Sequence, residues 1–197
     1  MGGRAGSGGG IPKGIGRDTT YKGKIEDVED LVKVKDPRMY KALKEAFSNF
    51  SAKLGVPEKN VKLAKLSGSV LGIGGHGEVF LNKRYFNKSV SEFKNVMKEN
   101  YDAGHLTKTN KPLAHVLTHE LAHAAWTSGR GGTKQVAAGK EINSLFSSFQ
   151  KKGGKGYGKY AYSNVDEFWA EVSTKAAHGV ADRYTKAAKK IYNKYQL

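Results

Sequence analysis

The chain has 197 residues, 38% hydrophobic and 10% aromatic, a balance that suits one globular domain with a substantial core plus a tail and leaves too little for two full domains. A formal charge of +16 predicts attraction to polyanions such as nucleic acid (DNA), an anionic membrane surface or a cell-wall polymer, although no nucleic-acid motif accompanies it. No apolar run approaches the length of a membrane span, and the lack of cysteine excludes disulfides and thiolate-held metals, so histidine and carboxylate must carry any metal site.

Residues 1–23 are rich in Gly, Ser, Lys and Arg and nearly devoid of apolar side chains, a composition that cannot offset its ordering entropy by burial. A flexible basic arm is expected there, a linker or a tether to a larger assembly, ahead of a domain over residues 24–197. The first residues lack the apolar stretch of a secretory signal, and Gly6 stands where a myristoylation signal requires Ser or Thr. No Sec export or membrane anchoring is expected, which suits a cytoplasmic or virion-associated setting.

From Ile25 to about Lys35 acidic and apolar residues alternate at helical spacing, predicting a helix that Asp36-Pro37 ends. A second helix is predicted from Pro37 to Leu54, burying Met39, Leu43, Ala46, Phe47, Phe50 and Leu54, with Gly55 as its stop. Between Val61 and Phe86 the period changes to alternation. Val61, Leu63 and Leu66 suggest one strand that Ser69 to Gly72 continues, and the glycines from Gly72 to Gly77 turn into Glu78-Val79-Phe80-Leu81-Asn82. An edge strand can pair with an extended peptide, so Glu78, Val79, Phe80, Leu81 and Asn82 are the candidate substrate-binding strand; a plain structural hairpin is the other reading.

Ser89 to Glu99 reads as a helix, with Phe93 and Met97 four apart, and a polar connection from Tyr101 to Asn110 carries His105, read as a surface histidine. The next helix, from about Lys111 to Thr127 and closed by Gly129 to Gly132, holds His119-Glu120-Leu121-Ala122-His123. Two histidines four apart lie one turn apart on one face, where both imidazoles can reach a single zinc ion. Glu120, roughly 100° round the helix, places a carboxylate beside the metal, where it can take a proton from a bound water. Leu113, Leu117, Leu121, Ala124 and Ala125 form a stripe on the other side. His115, one turn earlier, reads as a residue that supports a ligand from behind or lines the cleft, or as an extra ligand, and His76 as exposed.

Catalytic zinc needs a third protein ligand. The metzincin arrangement is excluded, because no histidine lies in Gly129 to Gly132. Thr133 to Gln150 is predicted helical, with Val136, Ile142, Leu145 and Phe146 apolar, and the glycine-rich Lys151 to Lys159 is expected to be mobile. A helix capped by Ser163 or Asn164 then runs to about His178 and presents Glu167 and Glu171 on one face; a last helix spans Val180 to Tyr195. Either carboxylate could bind metal while the other holds a ligand histidine. His178 is about 16 Å along the axis from Glu167, too far to share its ion.

The histidine pair, followed by Tyr-Ala-Tyr-Ser-Asn-Val-Asp-Glu-Phe-Trp-Ala-Glu over Tyr160 to Glu171, resembles the gluzincin metallopeptidases related to the catalytic domain of anthrax lethal factor. It is similar also to the zincin-like domains of bacteriophage head-associated and mobile-element proteins. The resemblance covers roughly Val79 to Ala177. It implies a mainly helical α+β zincin-like fold, with a small antiparallel sheet beside the metal helix, and a zinc endopeptidase acting on a protein or peptide substrate. By position it implies His119, His123 and Glu167 as zinc ligands, Glu120 as general base, Tyr160 as oxyanion stabiliser and Glu171 as an outer carboxylate. Tyr162, two residues on, is the rival to Tyr160. A non-proteolytic, basic, DNA-associated virion protein that keeps this fold is the alternative.

Overall fold

The computed structural model describes residues 23–128 and 132–197. Residues 1–22 of the expected basic arm lie outside the described residues, as do Gly129 to Gly131 of the segment expected to close the histidine-bearing helix. The fold is α+β and mainly helical, with a four-stranded sheet in the order β1-β2-β4-β3. The strands are β1 (Ile25–Asp30), β2 (Asn60–Leu66), β3 (Gly72–Gly75) and β4 (Glu78–Asn82). The helices are α1 (Pro37–Leu54), α2 (Lys83–Phe86), α3 (Val90–Asp102), α4 (Pro112–Ser128), α5 (Thr133–Lys152), α6 (Val165–Ala177) and α7 (Arg183–Tyr195).

Local signals set the best-placed helices. The Asp36 side chain caps α1 by accepting from the Arg38 N–H, Pro37 opens it, and Gly55 closes it in the left-handed region at φ 67°. Ser89 and Glu92 form a capping box on α3. Met39, Leu43, Ala46, Phe50 and Leu54 of α1 are buried as expected, with Phe47 partly so.

Three expectations about the N-terminal half need correction. Ile25 to Asp30 is a strand, not a helix, followed by a single 3-10 turn over Leu31–Lys33. Ile25 and Val28 stay 40% and 47% exposed, so there is no buried apolar stripe to hold a helix. The segment is held instead by its backbone ladder to β2, with a bulge between Glu26 and Glu29, and by ion pairs from Lys65 to Glu26 and Lys83 to Glu29. Gly72 to Gly75 is itself a strand, and the turn is confined to its end, where His76 and Gly77 have positive φ. The sheet is therefore mixed: β4 inserts between β2 and β3, parallel to the first and antiparallel to the second.

The third correction concerns the proposed substrate strand. Glu78, Val79, Phe80, Leu81 and Asn82 make up β4, whose backbone is paired on both sides. Val79 and Leu81 are core residues, and Asn82 is spent on structure, capping α2 and donating to the Val70 carbonyl at 2.7 Å. The sheet edge beside α4 is β3.

One face of the sheet, with Leu63, Val79 and Leu81, belongs with Leu71, just before β3, to the main core shared with the helices. Trp169 of α6 stacks on Tyr192 of α7 at 4.9 Å, and Phe50 of α1 meets Tyr192 edge-on. In α5 the expected Val136 is 54% exposed, and Ala138, Ile142 and Phe149 make the buried side. α4 lies at the centre, between β3, α1, α3 and α6. The apolar stripe is present, Leu117, Leu121, Ala124 and Ala125 being buried, but the histidine face is buried too.

Close approach of β3 to α4 depends on glycine. A Cβ on Gly74 would sit 2.1 Å from the Glu120 carbonyl oxygen and 2.8 Å from its carbon, and one on Gly72 would lie 3.0 Å from Glu120 Cγ. Backbone cannot yield as a flexible side chain does, so Gly74→Ala must push β3 off the helix. A loss of about 1–3 kcal/mol is expected, read as a lower urea midpoint with an unchanged slope. An unaltered midpoint would mean the strand is free to move.

Candidate metal centre

α4 and α6 pack against each other, and their side-chain pairs run in opposite directions: Trp126 meets Asp166 at 3.0 Å, and Thr118 meets His178 at 3.2 Å. Along α4 the ladder is His115, His119, His123; along α6 it is Glu167, Glu171. A helix presents every fourth residue on one face. Antiparallel packing therefore slots each carboxylate between two imidazoles. Glu167 Oε2 lies 3.0 Å from His119 Nε2 and 3.6 Å from His123 Nε2, and Glu171 Oε1 lies 3.0 Å from His119 Nδ1. The Asn164 side chain caps α6 by accepting from the Asp166 and Glu167 N–H groups, which fixes the first turn that carries Glu167.

The two Nε2 atoms of His119 and His123 are 3.1 Å apart, so with Glu167 Oε2 they form a triangle of edges 3.0, 3.1 and 3.6 Å. Ligands at about 2.0–2.1 Å from a tetrahedral ion are separated by roughly 3.3 Å. The donor set fits a metal ion. His115, His119 and Glu171 form a second group of ligand-type atoms, and every member of both groups is buried.

The charges are strongly coupled. Burial pushes the Glu167 carboxyl up, but hydrogen bonds to His119 and His123 outweigh it and leave it at about 2. Glu171, fully buried, is likewise held below the usual carboxylate range by His115 and His119. Burial alone would lower the His119 imidazole, yet its bonds to Glu167 and Glu171 raise it well above 6.5. The signs follow for the metal-free chain. Stabilisation from Glu167 is full above its unfolded value of 4.5 and is lost as pH falls towards 2. Stabilisation from His119 is full below 6.5 and is lost as pH rises through its elevated folded value. Denaturation midpoints measured in chelator should therefore pass through a maximum between those limits; a flat profile would contradict the coupling.

Glu120 is 1% exposed and belongs to neither ligand group, as its position round the helix requires. Tyr160 lies beside the centre, its ring 5.9 Å from that of His119. Burial, then the charges of Glu167, Glu120 and Glu171, raise its phenol far above the ordinary value, so it stays a donor. Tyr162 points elsewhere: its hydroxyl accepts from the Gly154 N–H at 3.0 Å and its ring packs on Phe149.

The segment before Tyr160, expected to be mobile, is tied down. Gly158 N–H donates to Thr107 Oγ1, Lys159 N–H to the Gly104 carbonyl and Tyr160 N–H to the His105 carbonyl, at 3.1, 2.7 and 2.9 Å. A Cβ on Gly158 would lie 2.4 Å from the Leu106 carbonyl carbon, so only glycine lets the two segments lie this close. This places Tyr160 by backbone pairing to the α3–α4 connection.

His76 is exposed and His105 half-buried, and neither belongs to a ligand group. His178 bonds Thr118 and belongs to neither group. Tyr101 and Thr107, which touch the cluster through His115 and Glu171, carry no sequence signal, since each meets its partner from a segment read as a polar connection. No helix among the described residues is long and apolar enough to cross a membrane. Comparison with protein-family models, with curated proteins and with solved structures found no match to the chain.

Proposed function

We propose that the chain is a zinc-dependent endopeptidase. The observation that carries this reading is the triangle of His119, His123 and Glu167 with Glu120 on the next position of the same helix. Two imidazoles and one carboxylate are a donor set suited to catalytic zinc, which has three protein ligands and one position for water or substrate. Zinc bound there supplies Lewis acidity, lowering the pKa of water and drawing charge from the scissile carbonyl.

The protein's own groups do the rest. His119 is held by Glu171 through Nδ1, which leaves Nε2 as the metal-facing atom. Glu120 takes the proton from the attacking water and returns it to the leaving amine. The Tyr160 phenol donates a hydrogen bond to the developing oxyanion. An extended substrate would pair along β3, the sheet edge beside α4.

A second reading is favoured by one observation: Glu120, His119, His123 and Glu167 are all buried. In that reading the ion stabilises a basic, non-hydrolytic protein that contacts DNA through its charge. The separating experiment is incubation of the zinc-loaded chain with a mixed peptide library, new N-termini being read by mass spectrometry. Cleavage that stops with chelator and returns with zinc supports the peptidase. No cleavage by a chain holding one zinc, with salt-sensitive DNA binding, supports the second reading.

A further inference from the structure

The second group of ligand-type atoms, His115, His119 and Glu171, adjoins the first and shares His119 with it. It fits either of two chemistries: a second cation, or a carboxylate held by N–H donors. The neighbours of His115 decide between them. His115 is completely buried, with Nδ1 3.1 Å from the Tyr101 hydroxyl and Nε2 3.5 Å from Glu171 Oε1. If Nε2 carried a lone pair it would face the oxygen of an anion. The carboxylate therefore selects the tautomer with hydrogen on Nε2, and Nδ1 accepts from the Tyr101 O–H. Burial pushes that phenol up to about 12, which keeps it a donor.

Glu171 is then surrounded by N–H groups. Oε1 accepts from His119 Nδ1 at 3.0 Å and lies in electrostatic contact 3.5 Å from His115 Nε2, which makes no hydrogen bond; Oε2 accepts from the Thr107 N–H at 2.8 Å. A carboxylate so satisfied remains an anion while buried. A cation in this group would have to strip the proton from His119 Nδ1 and turn that ring into a bridging imidazolate. The hydrogen-bonded arrangement asks for no such ionisation.

From this we infer that Tyr101 and His115 are positioning residues: the chain from Tyr101 through His115 and Glu171 holds the His119 ring with its Nε2 lone pair towards the metal. The inference rests on the metal-centre reading above. Its effect is on metal affinity, since groups that orient a ligand histidine typically change affinity 10–100-fold.

The test measures zinc affinity and stoichiometry of the full chain by competition with a chromophoric chelator. The variants are His115→Leu, which keeps bulk without the N–H, His115→Gln, which restores an N–H donor, and Tyr101→Phe. One zinc per chain is expected in wild type and variants alike. His115→Leu should bind about 10–100-fold more weakly, His115→Gln should recover most of the loss, and Tyr101→Phe should fall between. Leu and Phe variants that bind as tightly as wild type would overturn the inference and leave these residues as packing. Two zinc ions in wild type, one of them lost in His115→Leu, would overturn it in favour of a second cation. Wild type that binds no zinc would overturn the metal-centre reading itself, and this inference with it.

Discussion

Replacing Glu120 with Gln is expected to leave one zinc per chain in place and to slow peptide hydrolysis about 10²–10⁴-fold. The side chains are nearly the same size, and Glu120 belongs to neither ligand group, so on the proposed mechanism the variant should keep its fold and its metal while losing the base. Gln cannot take a proton from water. It also cannot return one to the leaving amine, so both halves of the proton transfer fail together. The measurement is the rate constant on a peptide identified by the library experiment, with zinc content determined on the same sample. A variant that retained zinc and full activity would sink the mechanism.

Glu167→Ala is expected to remove the metal. The triangle of 3.0, 3.1 and 3.6 Å becomes a single pair of imidazole nitrogens, and two histidines alone hold zinc poorly. After dialysis the content should fall from one ion per chain to near none. The substitution also leaves His119 and His123 buried without the carboxylate that raises the first and bridges the second, which should cost about 3–5 kcal/mol in the metal-free protein. Undiminished zinc would transfer the third-ligand role away from Glu167. Glu171 is poorly placed to take it, because it reaches His119 through Nδ1, on the side of the ring opposite the triangle.

The two predictions draw on different levels of the molecule. The role proposed for Glu120 follows from its position on one helix, whereas the role proposed for Glu167 needs a second helix brought to the right offset. The same division runs through the fold. α1, α3 and α6 are legible in the chain because their caps and stops are local: Asp36-Pro37 and Gly55, Ser89 with Glu92, and Asn164. β1 reads as a helix because the apolar spacing of Ile25 and Val28 permits one, but nothing buries that face, and pairing with β2 decides the outcome. Gly72 to Gly75 reads as a turn on composition. It is a strand because it pairs with β4, and Gly72 and Gly74, without Cβ atoms, let it lie against Glu120. β4, read as an edge, is covered because β3 returns along its open side.

The sequence by itself determined that His115, His119 and His123 share a face, that Glu120 stands beside it, and that Glu167 and Glu171 share another. Those facts follow from about 100° and 1.5 Å per residue, and any helix delivers them. Only the tertiary structure decided which carboxylate meets which nitrogen. The antiparallel offset of α4 and α6 puts Glu167 between His119 and His123 and Glu171 between His115 and His119. It also brings Tyr160 rather than Tyr162 beside the centre, through backbone bonds to the α3–α4 connection. That offset is set by packing summed over many core residues far apart in the chain, and no single motif encodes it.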